Sequence, residues 1–509
     1  MNEISSVNGN EKFQTNGAVT ARRRQCAMRR PIALLAARIN PERIRPLALR
    51  HALPALVASL LWGCAVGPDY HRPPLDVPPE FRGAPIPAST NSLADLPWWE
   101  VFPDETLQEL LRIAFTNNYD LRIAIARVEQ TRAIVEQSRS AFFPQIGYQA
   151  GVSRGRNAIG NEPVFNGGQR VDTYVIGGNA AWELDLWGRI RRANEATRGQ
   201  LLATDEARRA VMLTLLSDVA TAYFQLLALD RALEISQRTT NSFGESLRIF
   251  SERLQGGIVS KLETSAAEAA LASAAANVPE LERQIVVQEN QLNALLGRNP
   301  GPVPRSGNLL AQTAPEVPPG LPSSLLERRP DILQAEQLLR SANAQVGVAV
   351  ANFFPQLSLT GLFGQVSPEL SALTGGTANA WSVAANLAGP LFQGGRLVGQ
   401  YRESKAARNE AQLRYQAAVL GAFGEVSDAL IGRQKFAEAR QQQARAVQAY
   451  EVAVQVASER YLAGKASYYE VLQEQQLLYP AENQLVIVEL NQLLAFVQLY
   501  RALGGGWQR

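Results

Sequence analysis

The sequence predicts a mixed α/β membrane protein made by tandem duplication of one unit of strands and long helices. Three observations predict it. Segments in the first half recur in the second at a near-constant spacing. Four runs alternate apolar and polar residues over strand-like lengths. Two stretches of about 70 residues contain no proline and carry a heptad-spaced apolar seam.

Composition limits what such a chain can do. Aromatic residues make up 7% of the 509, while Ala, Gln, Glu and Arg abound, which favours helices packed through small side chains. The net charge is +3, but residues 1–63 hold ten Lys or Arg against three Asp or Glu, so the remainder sits at 3 − 7 = −4. The basic excess belongs to a leader, and charge gives nucleic-acid binding no support. Cys26, Cys64, His51 and His71 are the only cysteines and histidines. With the leader removed, Cys64 and His71 remain, so no disulfide framework is possible and a catalytic triad or metal site would hang on one histidine. The expectation is a non-enzyme without cofactor or metal.

The leader spans 1–63, with Met28 as an alternative start. An Arg-rich stretch precedes the apolar run from Leu53 to Trp62, too short to span a bilayer as a helix, and Gly63 stands at the break. Leu61-Trp62-Gly63-Cys64 resembles the bacterial lipobox, although Trp62 is bulkier than that pattern's usual residue. The resemblance implies a diacylglycerol and an N-acyl chain on Cys64. Ala65 follows, so the aspartate that retains lipoproteins at the inner membrane is missing. An extended segment over 64–103 comes next.

The first repeat covers 104–297 and the second 325–504, joined by a Pro-rich linker over 298–324, with a short tail at 505–509. Ala141-Phe142-Phe143-Pro144-Gln145-Ile146 recurs as Asn352-Phe353-Phe354-Pro355-Gln356-Leu357, and 352 − 141 = 211. Later, Gly188-Arg189 matches Gly395-Arg396, Arg253 matches Arg460 and Leu296-Gly297 matches Leu503-Gly504, and 395 − 188 = 207. A period this long is a duplicated half-domain and not a solenoid repeat.

Each unit opens with a helix, expected from Glu105 to Ser140 in the first, that ends at the Phe-Pro break. A β-hairpin follows, over 144–188 and again over 355–394. Ile146, Tyr148, Ala150 and Val152 alternate with Gln145, Gln149 and Ser153, and residues 154–169 read as a loop. Trp182, Leu184 and Leu186 alternate with Glu183 and Asp185. In the second unit Leu357, Leu359 and Phe363 share one face, as do Trp381, Val383, Ala385 and Leu387. The proline-free long helices cover 189–255 and 395–463, roughly 100 Å each at 1.5 Å per residue. Met212, Leu216, Val219, Tyr223 and Leu226 form a heptad seam that recurs as Val419, Phe423, Val426, Leu430 and Arg433. Return helices cover 260–296 and 468–503, with Pro279 and Pro480 inside them as expected kinks.

Four strands of membrane-spanning length leave sheet edges without partners, which a bilayer does not tolerate. Copies of the chain must therefore complete a barrel together; two would give eight strands and three would give twelve.

The lipobox, Gly67-Pro68-Asp69-Tyr70, Trp98-Trp99, the two Phe-Phe-Pro-Gln segments and the paired Arg-x-x-x-Gly turns together resemble the outer-membrane factor family, in its NodT-type efflux lipoprotein branch. The likeness covers about residues 64–504. It implies a homotrimer with a 12-stranded β-barrel in the outer membrane, continuing into a periplasmic α-helical barrel. Its implied partners are a periplasmic adaptor protein, an inner-membrane proton-driven transporter and outer-membrane lipid. The function implied is a passive exit duct of a tripartite pump for small toxic compounds or antibiotics. A duct for one-step protein secretion and a pore-less coiled-coil scaffold are the alternatives.

The resemblance also assigns sites. The helix tips, with Arg253, Gly257 and Ser260 on one hairpin and Arg460, Gly464 and Ser467 on the other, would receive the adaptor. From the residues alone, Gly257 and Gly464 suit left-handed helix ends, and Ser260-x-x-Glu263 and Ser467-x-x-Glu470 read as capping boxes. Tyr469, Glu470 and Gln473 match the positions that narrow the closed tube, Gln473 standing where relatives carry an acid.

Overall fold

The computed structural model describes residues 65–83, 92–156, 158–159, 162–163, 170–305, 309, 320, 322–374 and 378–505. The leader, Cys64 and most of the 298–324 linker lie outside the described residues.

Each repeat runs from a helical segment (two helices in the first repeat, one long helix in the second) through two long strands to two more long helices. In the first these are α1 (Glu105–Asn117), α2 (Tyr119–Ser140), β1 (Gln145–Arg156), β2 (Arg170–Leu184), α3 (Arg189–Gln255) and α4 (Lys261–Leu295). In the second they are α5 (Pro330–Ala351), β3 (Gln356–Ser367), β4 (Asn379–Ala388), α6 (Arg396–Leu462) and α7 (Tyr468–Ala502). A two-residue ladder, Ala158–Ile159 with Glu162–Pro163, lies between β1 and β2.

The expected helix over 105–140 is broken. Asn118 takes an extended ψ of 130° and caps α2, its side-chain oxygen accepting from Leu121 N–H at 3.0 Å. The break has a structural purpose. A 67-residue helix is about twice as long as its 35-residue return helix, so α4 covers only the tip half of α3. α2 packs on α3 as well, and its N-terminus meets the C-terminus of α4. There Asn118 Nδ2 donates to Leu295 O at 2.9 Å. The second repeat has the same joint with different chemistry: Arg329 Nη1 donates to Ala502 O at 3.0 Å, and 118 + 211 = 329 while 295 + 207 = 502. In both, a carbonyl left without a partner in the last turn is satisfied across the joint.

The four long strands form one antiparallel sheet in the order β1-β2-β3-β4. Tyr148 stands opposite Gly178, Gly178 opposite Phe363, and Phe363 opposite Trp381. That register puts Ile146, Val152, Ile176, Leu359, Val383 and Leu387 on the same face as these aromatics. Gln149, Asn179, Ser358, Thr360, Ser382 and Asn386 occupy the other, so the alternating faces expected from sequence are formed. β2 begins at Arg170, well before Trp182, because the Gly- and Ala-rich residues 177–181 carry no alternation yet still pair on both sides. It also stops at Leu184. Leu186 lies past the strand, and Asp185 turns its carboxylate to accept from Ile190 and Arg191 N–H at the start of α3.

The principal core lies between the long helices, where Met212, Leu216, Val219, Tyr223 and Leu226 are all buried. Arg433, last in the second seam, lies over the Phe496 ring at 6.0 Å. Phe102 meets Phe224, Phe496 and Tyr500 edge-on or tilted at 6.0–6.3 Å. α3 and α7 each contain a window long and apolar enough to cross a membrane, but 67% and 56% of those windows are buried against other helices, as in a core. Both return helices run through Pro279 and Pro480 as single helices.

Ahead of the repeats, residues 65–72 lie across α3 and α5 as a strap. Asn343 donates to Pro68 O at 2.8 Å, and Arg192 reaches Asp69 at 2.8 Å. Glu336, 1% exposed at its side chain, takes hydrogen bonds from Tyr70 at 3.1 Å, Arg340 at 2.8 Å and Arg72.

Candidate functional site

The site has two ends, the sheet and the helix tips. On the sheet, charge is confined to the strand ends. Arg154 pairs with Asp172 at 3.0 Å on one side, and Glu183 with Arg189 at 2.6 Å on the other. Between them residues 145–153, 173–182, 356–366 and 379–388 carry no charge. Nine residues extend roughly 30 Å at 3.3 Å each, the thickness of a bilayer's hydrocarbon core. The apolar face is open, with Tyr148, Phe363, Trp381 and Val383 all exposed. Among the described residues, β1 and β4 are the outer strands of the sheet, each with a neighbour on one side.

At the tips both long helices end in the same six-residue hydrogen-bond pattern. Gly257 N–H donates to Leu254 O and Ile258 N–H to Arg253 O; Gly464 N–H donates to Tyr461 O and Lys465 N–H to Arg460 O. Both glycines sit at φ +69°, which L side chains adopt at a cost. The turns then part in detail. Ser260 N–H is capped by Glu263 Oε2 at 2.7 Å, as expected. The matching box at Ser467 does not close, because the Glu470 carboxylate turns back to Arg460 at 3.3 Å. Arg460 is a cation within reach that the first tip spends elsewhere: its counterpart Arg253 lies over the Tyr461 ring at 4.6 Å, bridging the two hairpins.

Tyr469 and Gln473 lie one turn apart on the exposed face of α7, with Glu470 beside them. Tyr468 faces the other way. Its hydroxyl lies 2.9 Å from Ser246 Oγ, and its ring meets Phe250 at 5.1 Å and Tyr461 at 4.8 Å. Gln475 donates to Ser242 at 3.0 Å just above. No motif marks this clamp: Tyr461 and Tyr468 stand at unspecified positions of the Arg-x-x-x-Gly turn and the Ser-x-x-Glu box, and Ser246 and Phe250 lie in neither. The one signal available was the aromatic pair Tyr468-Tyr469, whose neighbours on a helix must face different ways. Ser260 and Ser467 are exposed, as are Ile258, Leu262 and Leu462 around them.

A duplicated chain with a bilayer-height sheet and helices of about 100 Å has the parts of a membrane protein with a long helical extramembrane portion. Residues 110–298 and 321–505 match the family model for the outer membrane efflux protein, and the chain belongs to that family. It is the outer-membrane exit duct of an efflux pump. The chain is 33% identical over 458 residues to the toluene efflux pump outer membrane protein TtgC of Pseudomonas putida, covering 89% of this chain and 95% of the relative. It is 31% identical to the cation efflux system protein CusC of Escherichia coli, covering 90% and 99%. Among solved structures, the open-state MtrE outer membrane channel of Neisseria gonorrhoeae superposes with a TM-score of 0.80 at 30% identity, covering 88% of this chain and all but 1% of the other (99%).

Proposed function

We propose that three copies of this chain close a 12-stranded barrel in the outer membrane, with their helices forming a tube across the periplasm that opens and shuts at the tips. The observation that carries this reading is the four-stranded sheet with a charge-free belt, an exposed apolar face and two unpaired edges. In a bilayer those edges need partners, and further copies of the same sheet supply them. The uncharged polar face of Gln149, Asn179, Thr360 and Asn386 then lines the bore, where it selects weakly between cargos. The relatives' names fit that weakness, toluene in one case and cations in another. Small toxic compounds and antibiotics are the cargo class this reading assigns, with selection left to an inner-membrane transporter.

The tips are the docking end for a periplasmic adaptor: Arg253, Gly257, Ser260, Arg460, Gly464 and Ser467 shape two exposed turns, and the apolar Ile258, Leu262 and Leu462 offer contact area beside them. Tyr469, Glu470 and Gln473 form the gate, and Cys64 carries the lipid anchor. Purified protein in planar bilayers should give discrete single-channel steps, with opening events that increase in Tyr469→Ala. A protein that never conducts, in wild-type or variant form, would sink the duct reading. Unchanged leak of a large antibiotic through Tyr469→Ala and Glu470→Ala would sink the gate.

A further inference from the structure

One kind of corner occurs twice in the repeat pattern but is completed once within the chain. In the completed corner, the turn from β2 into α3 packs on the turn from α5 into β3. Trp187 stacks on Phe354 with ring centroids 4.7 Å apart, and its indole N–H donates to Pro355 O at 2.7 Å. Translated by one repeat, the same corner would join the turn from β4 into α6 to the turn from α2 into β1. Within one chain those two turns lie at opposite edges of the sheet. Both carry exposed apolar side chains, although in the turn from α2 into β1 the Trp182 indole N–H of the same chain donates to Phe142 O at 3.0 Å. Phe143, the counterpart of Phe354 at 354 − 211 = 143, is 63% exposed. Leu391 is fully exposed and Phe392 is 90% exposed in the other turn. The tryptophan has no counterpart there, since 187 + 207 = 394 is glycine, and Leu391 and Phe392 supply the apolar bulk instead.

The adjoining helices show the same complementarity. In the completed corner the Arg192 side chain lies over Gly347, so close that a Cβ at 347 would stand 2.8 Å from Arg192 Cγ. Their counterparts are Gly399, at 192 + 207, and Glu136, at 347 − 211. A Cβ on Gly399 would meet nothing within 4 Å, and Glu136 is exposed. The small and the large residue have changed sides.

We propose that Leu391 and Phe392 of one copy pack on Phe143 and Pro144 of a second copy, with Glu136 of that second copy laid over Gly399 of the first. Each copy then offers one half of the corner at each edge, a head-to-tail contact whose repetition closes a ring. The proposal rests on the reading that copies complete the barrel together, and it commits that reading to named side chains.

Full-length protein carrying both Phe143→Cys and Phe392→Cys, assembled in the outer membrane and treated with a short thiol-to-thiol crosslinker, tests it. The double variant should give dimer- and trimer-sized bands on a denaturing gel. Neither single variant should, nor should Phe143→Cys with Leu262→Cys, whose second site sits at the tip of α4. A double variant that stays monomeric on the gel while native mass measurement shows a trimer would overturn the corner and leave the duct reading standing. An unaltered protein that is monomeric by native mass would overturn the duct reading and the corner with it. As a second measurement, Phe392→Asp should lower the temperature at which the assembly dissociates, compared with Leu262→Asp; equal temperatures would also overturn the corner.

Discussion

Glu336 is the residue on which the strap depends. Burial alone would raise its pKa, but hydrogen bonds and charge from Arg72 and Arg340 outweigh that and hold the carboxyl below the usual carboxylate range. A carboxylate depressed in the folded state stabilises fully above its unfolded value, near 4.5, and its contribution disappears as pH falls through the folded value. Release of residues 65–72 on acidification should therefore begin below that value, and hydrogen exchange along the strap should report it. Glu336→Gln should abolish this acid dependence and cost about 2 kcal/mol at neutral pH, because two arginines lose a charged partner while keeping much of their own solvent contact. Burial first, and then the charge and hydrogen bond of Glu336, push the Tyr70 hydroxyl up to about 12 against the opposing pull of Arg340, so it remains a donor to Glu336 throughout. At the tips, Gly257→Ala and Gly464→Ala should each cost about 1 kcal/mol from the left-handed backbone alone. Thermal melting of the detergent-solubilised protein would show that loss.

Between elements, the joints matter more than the helices. α3 and α6 carry apolar seams that would hold many partners, but the stitches Asn118–Leu295 and Arg329–Ala502 decide which helices stack end to end. Asn118→Ala removes both a cap and a stitch, and should destabilise by about 1–2 kcal/mol. Protection from hydrogen exchange should fall at the start of α2 before it falls in α3. The tips invite a second expectation. The clamp of Tyr468, Phe250, Ser246 and Tyr461 ties α7 to α3, while the ion pair of Arg460 with Glu470 is exposed on both sides and contributes below about 1 kcal/mol. Tyr468→Ala should accordingly raise the open probability of single channels more than Arg460→Ala does. The reverse order would mean that the ion pair, and not the aromatic clamp, holds the tips.

For the whole molecule, the sheet is the part that one chain leaves incomplete. Its polar face is uncharged over the height of a bilayer, so on the proposed barrel Gln149→Glu would place one carboxylate per copy in an otherwise neutral bore. Reversal potentials in a salt gradient should shift toward cation selectivity, and an unchanged potential would put Gln149 outside the bore. The duplication would explain how copies of the chain close the proposed barrel. Each repeat supplies a hairpin of strands and a hairpin of helices, and on the proposed ring the second repeat of one copy would present the edge that the first repeat of the next needs.

Much of this was legible in the sequence because it is periodic. A residue period of two marks the strand faces, the heptad marks the seams, and the 211 and 207 spacings mark the equivalent positions. Proline and glycine placed the strand starts and helix ends, since their backbone restrictions are local. What only the tertiary structure decided is aperiodic and long-range. The break at Asn118 follows from a return helix half the length of its partner, and no local signal outweighed the helical pattern on either side. The strand over 170–181 is held by neighbours and not by its own side chains. Glu470 favoured Arg460 over its capping box because the long helix of its own hairpin ends with that cation 3.3 Å away, and Tyr468 rather than Tyr469 became the clamp because the other hairpin brings Ser246 and Phe250 beside it.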